Sequence, residues 1–152
     1  MEILEFKTAG NSFGIPVDIV REIIPYQVPT PVPDSKPCVE GIFMPRDVII
    51  TAIDLSVYLN RGQTKTNGLF VITGYHNLDI AFHVDAALGI HRVEEEDIVK
   101  LDNTLGVDER HIARGIIRNE GTLIIVLDFN KIIAELQPDL LSEEEMKAIL
   151  NE

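Results

Sequence analysis

Short apolar runs rich in β-branched residues recur along this chain, separated by clusters of turn-forming residues. Two of the runs read alike: "VIITAIDLSVYL" (Val48 to Leu59) and "TLIIVLDFNKII" (Thr122 to Ile133). Each ends its strand-like part on an aspartate and continues into a tail of near-helical apolar spacing. Asp54 and Asp128 therefore stand where a helix N-cap is wanted, able to accept from the orphan amides of the first turn. The hairpin signals repeat as well. "FGIPVDIVREI" (Phe13 to Ile23) and "IAFHVDAALGI" (Ile80 to Ile90) both alternate apolar residues and then place a Val-Asp pair, Val17-Asp18 and Val84-Asp85.

Other stretches fill in the pattern. "EILEFKTAGNSFGIPVD" predicts strand, turn and strand, with "AGNS" as the turn. "VDIVREII" (Val17 to Ile24) has helical apolar spacing but is short and β-branched, so strand and helical turn both stay open. "PYQVPTPVPDSKP" holds five of the eight prolines. It predicts an extended, ordered connector, because proline fixes φ and lacks an amide donor. "MPRD" is a turn candidate, "RGQTKTNG" (Arg61 to Gly68) and "NTLGVDE" are loops, and "LFVITGYHNLDIAFHVD" is a hairpin. "RHIARGIIRNEGTLIIVLD" is another hairpin, with "NEG" as its turn. "DLLSEEEMKAILNE" predicts an amphipathic helix over 141–150, with Ser142 as cap and Glu145 completing a capping box. The economical organisation is one mainly β domain of two pseudo-repeated subdomains, approximately 13–66 and 67–135, followed by that helix. Exchange of the N-terminal strand between the subdomains stays open. Units this small bury too little apolar surface alone, so they are expected to pack together and leave a groove between them.

Composition narrows what such a body can do. The 152 residues carry 25 acids against 13 bases, a formal net charge of −12. That field repels polyphosphates, and no basic stripe with interleaved aromatics interrupts it, so nucleic acid is not an expected partner. No apolar run approaches the ~18 residues of a membrane span. "MEILEF" places an acid where a secretory signal is positive. The expectation is a cytoplasmic protein without membrane insertion. Cys38 is the single cysteine, which excludes an internal disulfide and reads as a packed, inert thiol between Pro37 and Val39.

Candidate chemistry is sparse. The histidines are His76, His83, His91 and His111. His83 and Asp85, two apart on a strand, face the same way, and with His91 can be imagined as a metal triad; Glu94 to Asp97 could also pass for a cation site. The spacing of the triad lacks the converging ligands of a catalytic zinc site, and ordinary strand-edge residues are the competing reading. Gly10 and Gly14 are not followed by a lysine-bearing helix, so no phosphate loop is present. "EEED" (Glu94 to Asp97) reads as a solvated edge that keeps sheets from pairing. No catalytic residue, metal or cofactor is expected, and the chain reads as a binding module.

Four blocks, spread over nearly the whole length, carry a resemblance to the CheW family of bacterial chemotaxis coupling proteins. Phe13, Gly14, Ile15, Pro16 and Val17, with Val20, Arg21, Glu22 and Ile23, resemble the family's opening motif. The run from Gly41 to Leu55, with Arg46 inside it, resembles the central one. His83, Val84, Asp85, Ala87 and Ile90 match a third block, and His111, Ile112, Gly115, Leu123, Val126, Leu127 and Asp128 the last. The departures lie around the arginine: Met44-Pro45 replaces the family's Asn-Leu, Asp47 a glycine and Thr51 a proline. The resemblance implies a fold of two small five-stranded β-barrels packed together, with short helical turns and a C-terminal helix. It implies a non-catalytic adaptor that bridges a CheA-type histidine kinase to the cytoplasmic tip of methyl-accepting chemoreceptors, at membrane-associated arrays. Another signalling partner, or self-association of the barrels, is the alternative. Carried over by position, Val20, Glu22, Gly41, Arg46 and Ile90 match places of partner contact. From the residues themselves, Val20 and Ile90 read equally as core, Gly41 as a backbone requirement, Glu22 as a solvated face, and Arg46 as a salt-bridge partner of Asp54 or Asp47.

Overall fold

A computed structural model of the chain describes residues 1–75, 78–100 and 112–136. His76, His111, the "NTLGVDE" loop and the expected helix 141–150 with Ser142 lie outside the described residues. The first half contains β1 (Glu2–Thr8), β2 (Asn11–Pro16), β3 (Val20–Pro25), β4 (Val39–Phe43), β5 (Ile50–Asp54) and a single helical turn, α1 (Leu55–Tyr58). The second contains β6 (Leu69–Tyr75), β7 (Leu78–Val84), β8 (Ala86–Arg92), β9 (Ala113–Asn119), β10 (Thr122–Leu127) and α2 (Phe129–Leu136). The open Val17–Ile24 stretch uses both readings in turn: a 3-10 turn at Val17–Ile19, then β3. Ala9-Gly10 and Glu120-Gly121 have positive φ at both positions. That is the backbone twist a two-residue hairpin turn needs.

The strands form two five-stranded sheets, ordered β8-β1-β2-β10-β9 and β3-β6-β7-β5-β4. In each, an antiparallel hairpin (β1-β2 or β6-β7) lies parallel to the strand that ends on the repeated aspartate, β10 or β5. The parallel registers are equivalent. Val126 faces Gly14 and Ala52 faces Ala81, so one offset of 74 residues and one of 67 superimpose the sheets. Both edge strands bulge at equivalent places, at Arg21 in β3 and Leu88 in β8, and at Glu40 in β4 and Arg114 in β9.

The repeat along the chain and the sheets in space are not the same units. After the Val17-Asp18 corner, β3 leaves for the other sheet, and after Val84-Asp85, β8 does the same. Each sheet thus combines the hairpin of one repeat with three strands of the other. The sheets do not divide the chain into 13–66 and 67–135: one is drawn from residues 20–84, the other from 2–16 and 86–127.

Each sheet curls without closing into a full hydrogen-bonded ring. The chain beyond the edge strand instead reaches the opposite edge through one bridge, Thr30 to Ile42 in one sheet and Val99 to Ile116 in the other. Gly41 and Gly115 stand beside these crossings. A Cβ on Gly41 would lie 2.1 Å from the Thr30 carbonyl oxygen, and one on Gly115 would lie 2.5 Å from that of Val99. The duplicated glycine therefore exists because two backbones meet there.

Three apolar clusters follow from this layout. Ile3, Val93, Ile98, Ile117, Ile124 and Val126 fill one barrel. Ile50, Ala52, Phe70, Ile72 and Ala81 fill the other. The largest cluster joins both sheets and both helices, with Phe6, Phe13 and Ile15 meeting Val71, Phe82 and Val84 beneath Phe129 and Ile132. Tyr58 in α1 also donates to Glu135 Oε2 in α2 at 2.6 Å. Most of the burial that holds the barrels together thus lies between them.

Candidate functional site: the edge-strand surface and two equivalent clefts

The turn Met44–Asp47 separates β4 from β5 and carries Arg46 back towards edge strand β3. There its guanidinium Nη2 donates to Glu22 Oε1 at 2.6 Å. The partner is Glu22, and not Asp54 or Asp47, the acids weighed as alternative partners. The arginine side chain is 77% exposed, so screening holds the pair to about 1 kcal/mol or less. Asp47 takes up a left-handed φ of 55° in the turn. Ile23, beside Glu22, and Met44 and Val48, flanking the turn, are exposed. Ile23 alternates with Glu22 and faces the other side of β3, so the corner presents Met44 and Val48 beside a paired, solvent-facing arginine.

The other carried-over positions divide. Val20, half-buried on β3, packs against the shared core. Gly41 is held by the Thr30 crossing, not by any open surface. Ile90 lies on β8, the edge strand of the other sheet, and is 58% exposed, with Leu88 at 48% beside it. The structure thus brings Glu22 and Arg46 together and leaves Ile90 on the second barrel.

The candidate triad of His83, Asp85 and His91 is dispersed. Asp85 accepts from the Thr66 hydroxyl at 2.7 Å. His91 donates from Nε2 to Glu5 Oε1 at 2.7 Å across the β1-β8 pair. His83 instead lies at the end of β7 with the buried Asp54, its register partner on β5, and the bulged Glu40. One ligand atom from each of Glu40, Asp54 and His83 lies within 4.8 Å of the others.

Both ring nitrogens of His83 face oxygens. Nδ1 is 3.0 Å from Glu40 Oε1, and Nε2 is 2.9 Å from the Asn67 carbonyl. Burial lowers the pKa of this imidazole, but the Glu40 hydrogen bond and charge, the Asn67 carbonyl and the Asp54 charge together raise it above its ordinary value. Tyr26 stacks on the ring at 4.4 Å. Its phenol pKa is raised by burial and by the same two carboxylates. Asp54 caps α1 by accepting from Val57 N–H, and the Thr64 amide and hydroxyl occupy it further. Asp128 caps α2 by accepting from Lys131 N–H at 3.2 Å.

Tyr26, Glu40, Asp54, Thr64 and His83 line a cleft of ≈440 Å³ under the proline connector, with exposed Lys65 also on its wall. A cleft of ≈480 Å³ at the equivalent place in the other barrel is lined by Pro16, Arg114 and Asp128. By the offsets above, these three stand where His83, Glu40 and Asp54 do. Glu40 had no periodic signal in the sequence. Its partner is 43 residues away, and only the equivalence of the bulges picks it out.

Two composite, curled β-sheets thus share one core, with a polar cleft in each barrel and exposed apolar residues on edge strands β3 and β8. Residues 2–137 match the family model described as a CheW-like domain, and the chain belongs to that family. It is 29% identical over 139 residues to chemotaxis protein CheW of Thermotoga maritima, with 89% of each chain covered. It is 25% identical over 134 residues to chemotaxis protein CheW of Bacillus subtilis, covering 87% of this chain and 86% of that protein. The fold is that of the scaffolding protein TtCheW from Thermoanaerobacter tengcongensis, with a TM-score of 0.75 at 23% identity over 83% of this chain and 82% of that one. The chain is a non-catalytic adaptor of chemotaxis signal transduction, not an enzyme. Among the described residues, no helix is long and apolar enough to cross a membrane.

Proposed function

We propose that this adaptor works in the cytoplasm, where it couples a CheA-type histidine kinase to the cytoplasmic tip of methyl-accepting chemoreceptors at membrane-associated arrays. The contact surface includes Val20, Glu22 and Arg46, with Met44 and Val48 as its apolar part. The observation that carries this reading is the exposed Arg46–Glu22 pair. A guanidinium held by one carboxylate keeps further donors free for a carboxylate on a partner, and apolar side chains around it supply area that water leaves on docking. Gly41 contributes by letting the connector cross β4. The test is isothermal titration of the whole chain with the kinase's regulatory domain and with a receptor-tip fragment. Arg46→Glu sets two acids face to face and is expected to weaken at least one interaction while moving the melting temperature little. A large drop in melting temperature would make Arg46 structural. Unchanged binding to both would remove the corner from the interface.

A second reading is favoured by the exposure of Leu88 and Ile90 on edge strand β8. An unpaired edge with apolar side chains is a template for another strand, so copies of the chain associate through this edge. Light scattering over a concentration series is expected to show oligomers that Ile90→Lys abolishes. A monomer at every concentration would contradict it.

A further inference from the structure

We propose that Glu40, Asp54 and His83 form a site for a divalent transition-metal ion of the zinc class at the floor of the cleft beneath the proline connector. The donor set is one imidazole nitrogen and two carboxylates, which suits zinc and its neighbours better than calcium or magnesium. Three protein ligands leave a coordination position towards the cleft. The ligand atoms already lie within 4.8 Å of one another. Tetrahedral zinc needs ligand atoms about 3.4 Å apart, so the three side chains close in on the ion as it binds.

Each ligand is also held from behind. His83 Nε2–H donates to the Thr66 and Asn67 carbonyls, which fixes the tautomer and leaves Nδ1 as the ligating atom. The Thr64 amide and hydroxyl and the Val57 amide orient the Asp54 carboxylate. Glu40 Oε2 is buried and has no hydrogen-bond partner among the described residues, a costly state that a metal ion relieves. Binding exchanges the Nδ1 proton that faces Glu40 Oε1 for the ion, which then takes over as the positive charge between the two carboxylates.

The second cleft is a built-in control. There, Arg114 stands in the place of Glu40 and Pro16 in that of His83, so the same backbone offers a cation no comparable ligand set. In the metal site the ion ties the bulge of β4 to the ends of β5 and β7, and so stiffens the floor under the connector.

The test uses the full chain, stripped with EDTA and desalted. Titration with Zn²⁺ is expected to show one site per chain and a rise in melting temperature. Glu40→Gln is expected to weaken Zn²⁺ more than about tenfold with unchanged circular dichroism, and Arg114→Ala to leave affinity unchanged. X-ray absorption on the zinc-loaded wild-type chain is expected to show one imidazole nitrogen and oxygen neighbours, a readout that holds even if a variant fails to fold. No Zn²⁺ binding by the wild type, undiminished binding by Glu40→Gln, or sulfur in the zinc shell would overturn the site.

Discussion

The barrel that holds Glu40, Asp54 and His83 and the barrel that holds Arg114, Asp128 and Pro16 share strand order, parallel register and bulges. They differ in what those shared places carry. One barrel is filled by aliphatic residues such as Ile3, Ile117 and Ile124. The other contains Phe70, with Phe43 and Tyr26 against it and His83 stacked on Tyr26. At the bulge, an arginine that reaches out to Glu95 stands opposite a glutamate that turns in to His83. The glycine where two backbones cross is kept in both. Backbone approach and apolar period therefore set the fold twice, while a few residues at the strand ends set two different chemistries.

The comparison breaks most visibly at the crossings. Gly41→Ala forces a methyl against the Thr30 carbonyl and places alanine at a φ of 146°. A loss of about 3 kcal/mol or more in urea unfolding is expected. Gly115→Ala meets backbone at 2.5 Å without the positive φ, and should cost less. Next come the two barrel cores. Ile124→Ala and Ile50→Ala each remove a buried side chain and should cost about 2–5 kcal/mol. The sites belong to different clusters, so the double variant should equal the sum within about 0.5 kcal/mol. A large coupling would show one continuous core.

The caps sharpen the contrast. Asp54→Ala orphans the Thr64 hydroxyl and two amides, and is expected to cost about 2–3 kcal/mol. Asp128→Ala removes a single cap bond and should cost about 1 kcal/mol. Equal losses would mean that the Thr64 contacts contribute nothing. The smallest effect is Arg46→Ala, at about 1 kcal/mol or less.

Local features were legible in the sequence because their causes are local. The β-branched runs, the "NEG" turn, the Val-Asp corners and the aspartates before each helix all follow from period and turn chemistry. The family blocks could be placed for the same reason. The exchange of β3 and β8 was not legible, since alternation fixes which face a strand buries but not which neighbour it pairs with. The limits 13–66 and 67–135 follow the repeat along the chain and left exchange of the N-terminal strand open, whereas the sheets place β1 and β2 with β8, β9 and β10. The acids weighed as alternative partners of Arg46, Asp47 and Asp54, came from the same stretch of sequence, whereas its partner is Glu22, reached by folding the turn across the sheet. His83 was grouped with Asp85 and His91 by proximity along the chain, whereas β-sheet register brings Asp54 and Glu40 to it. The acidic run at Glu94 is a short 3-10 turn with a reciprocal cap between Glu94 and Asp97, a use of acids that composition does not reveal.

Cleavage of the chain in the exposed loop between Gly62 and Gln63 tests the exchange of strands most directly. Each fragment then holds a hairpin for one barrel and three strands for the other. Neither fragment alone should show a cooperative unfolding transition, and an equimolar mixture should recover the β-sheet circular dichroism and melting transition of the intact chain. A fragment that folds cooperatively by itself would contradict the exchange.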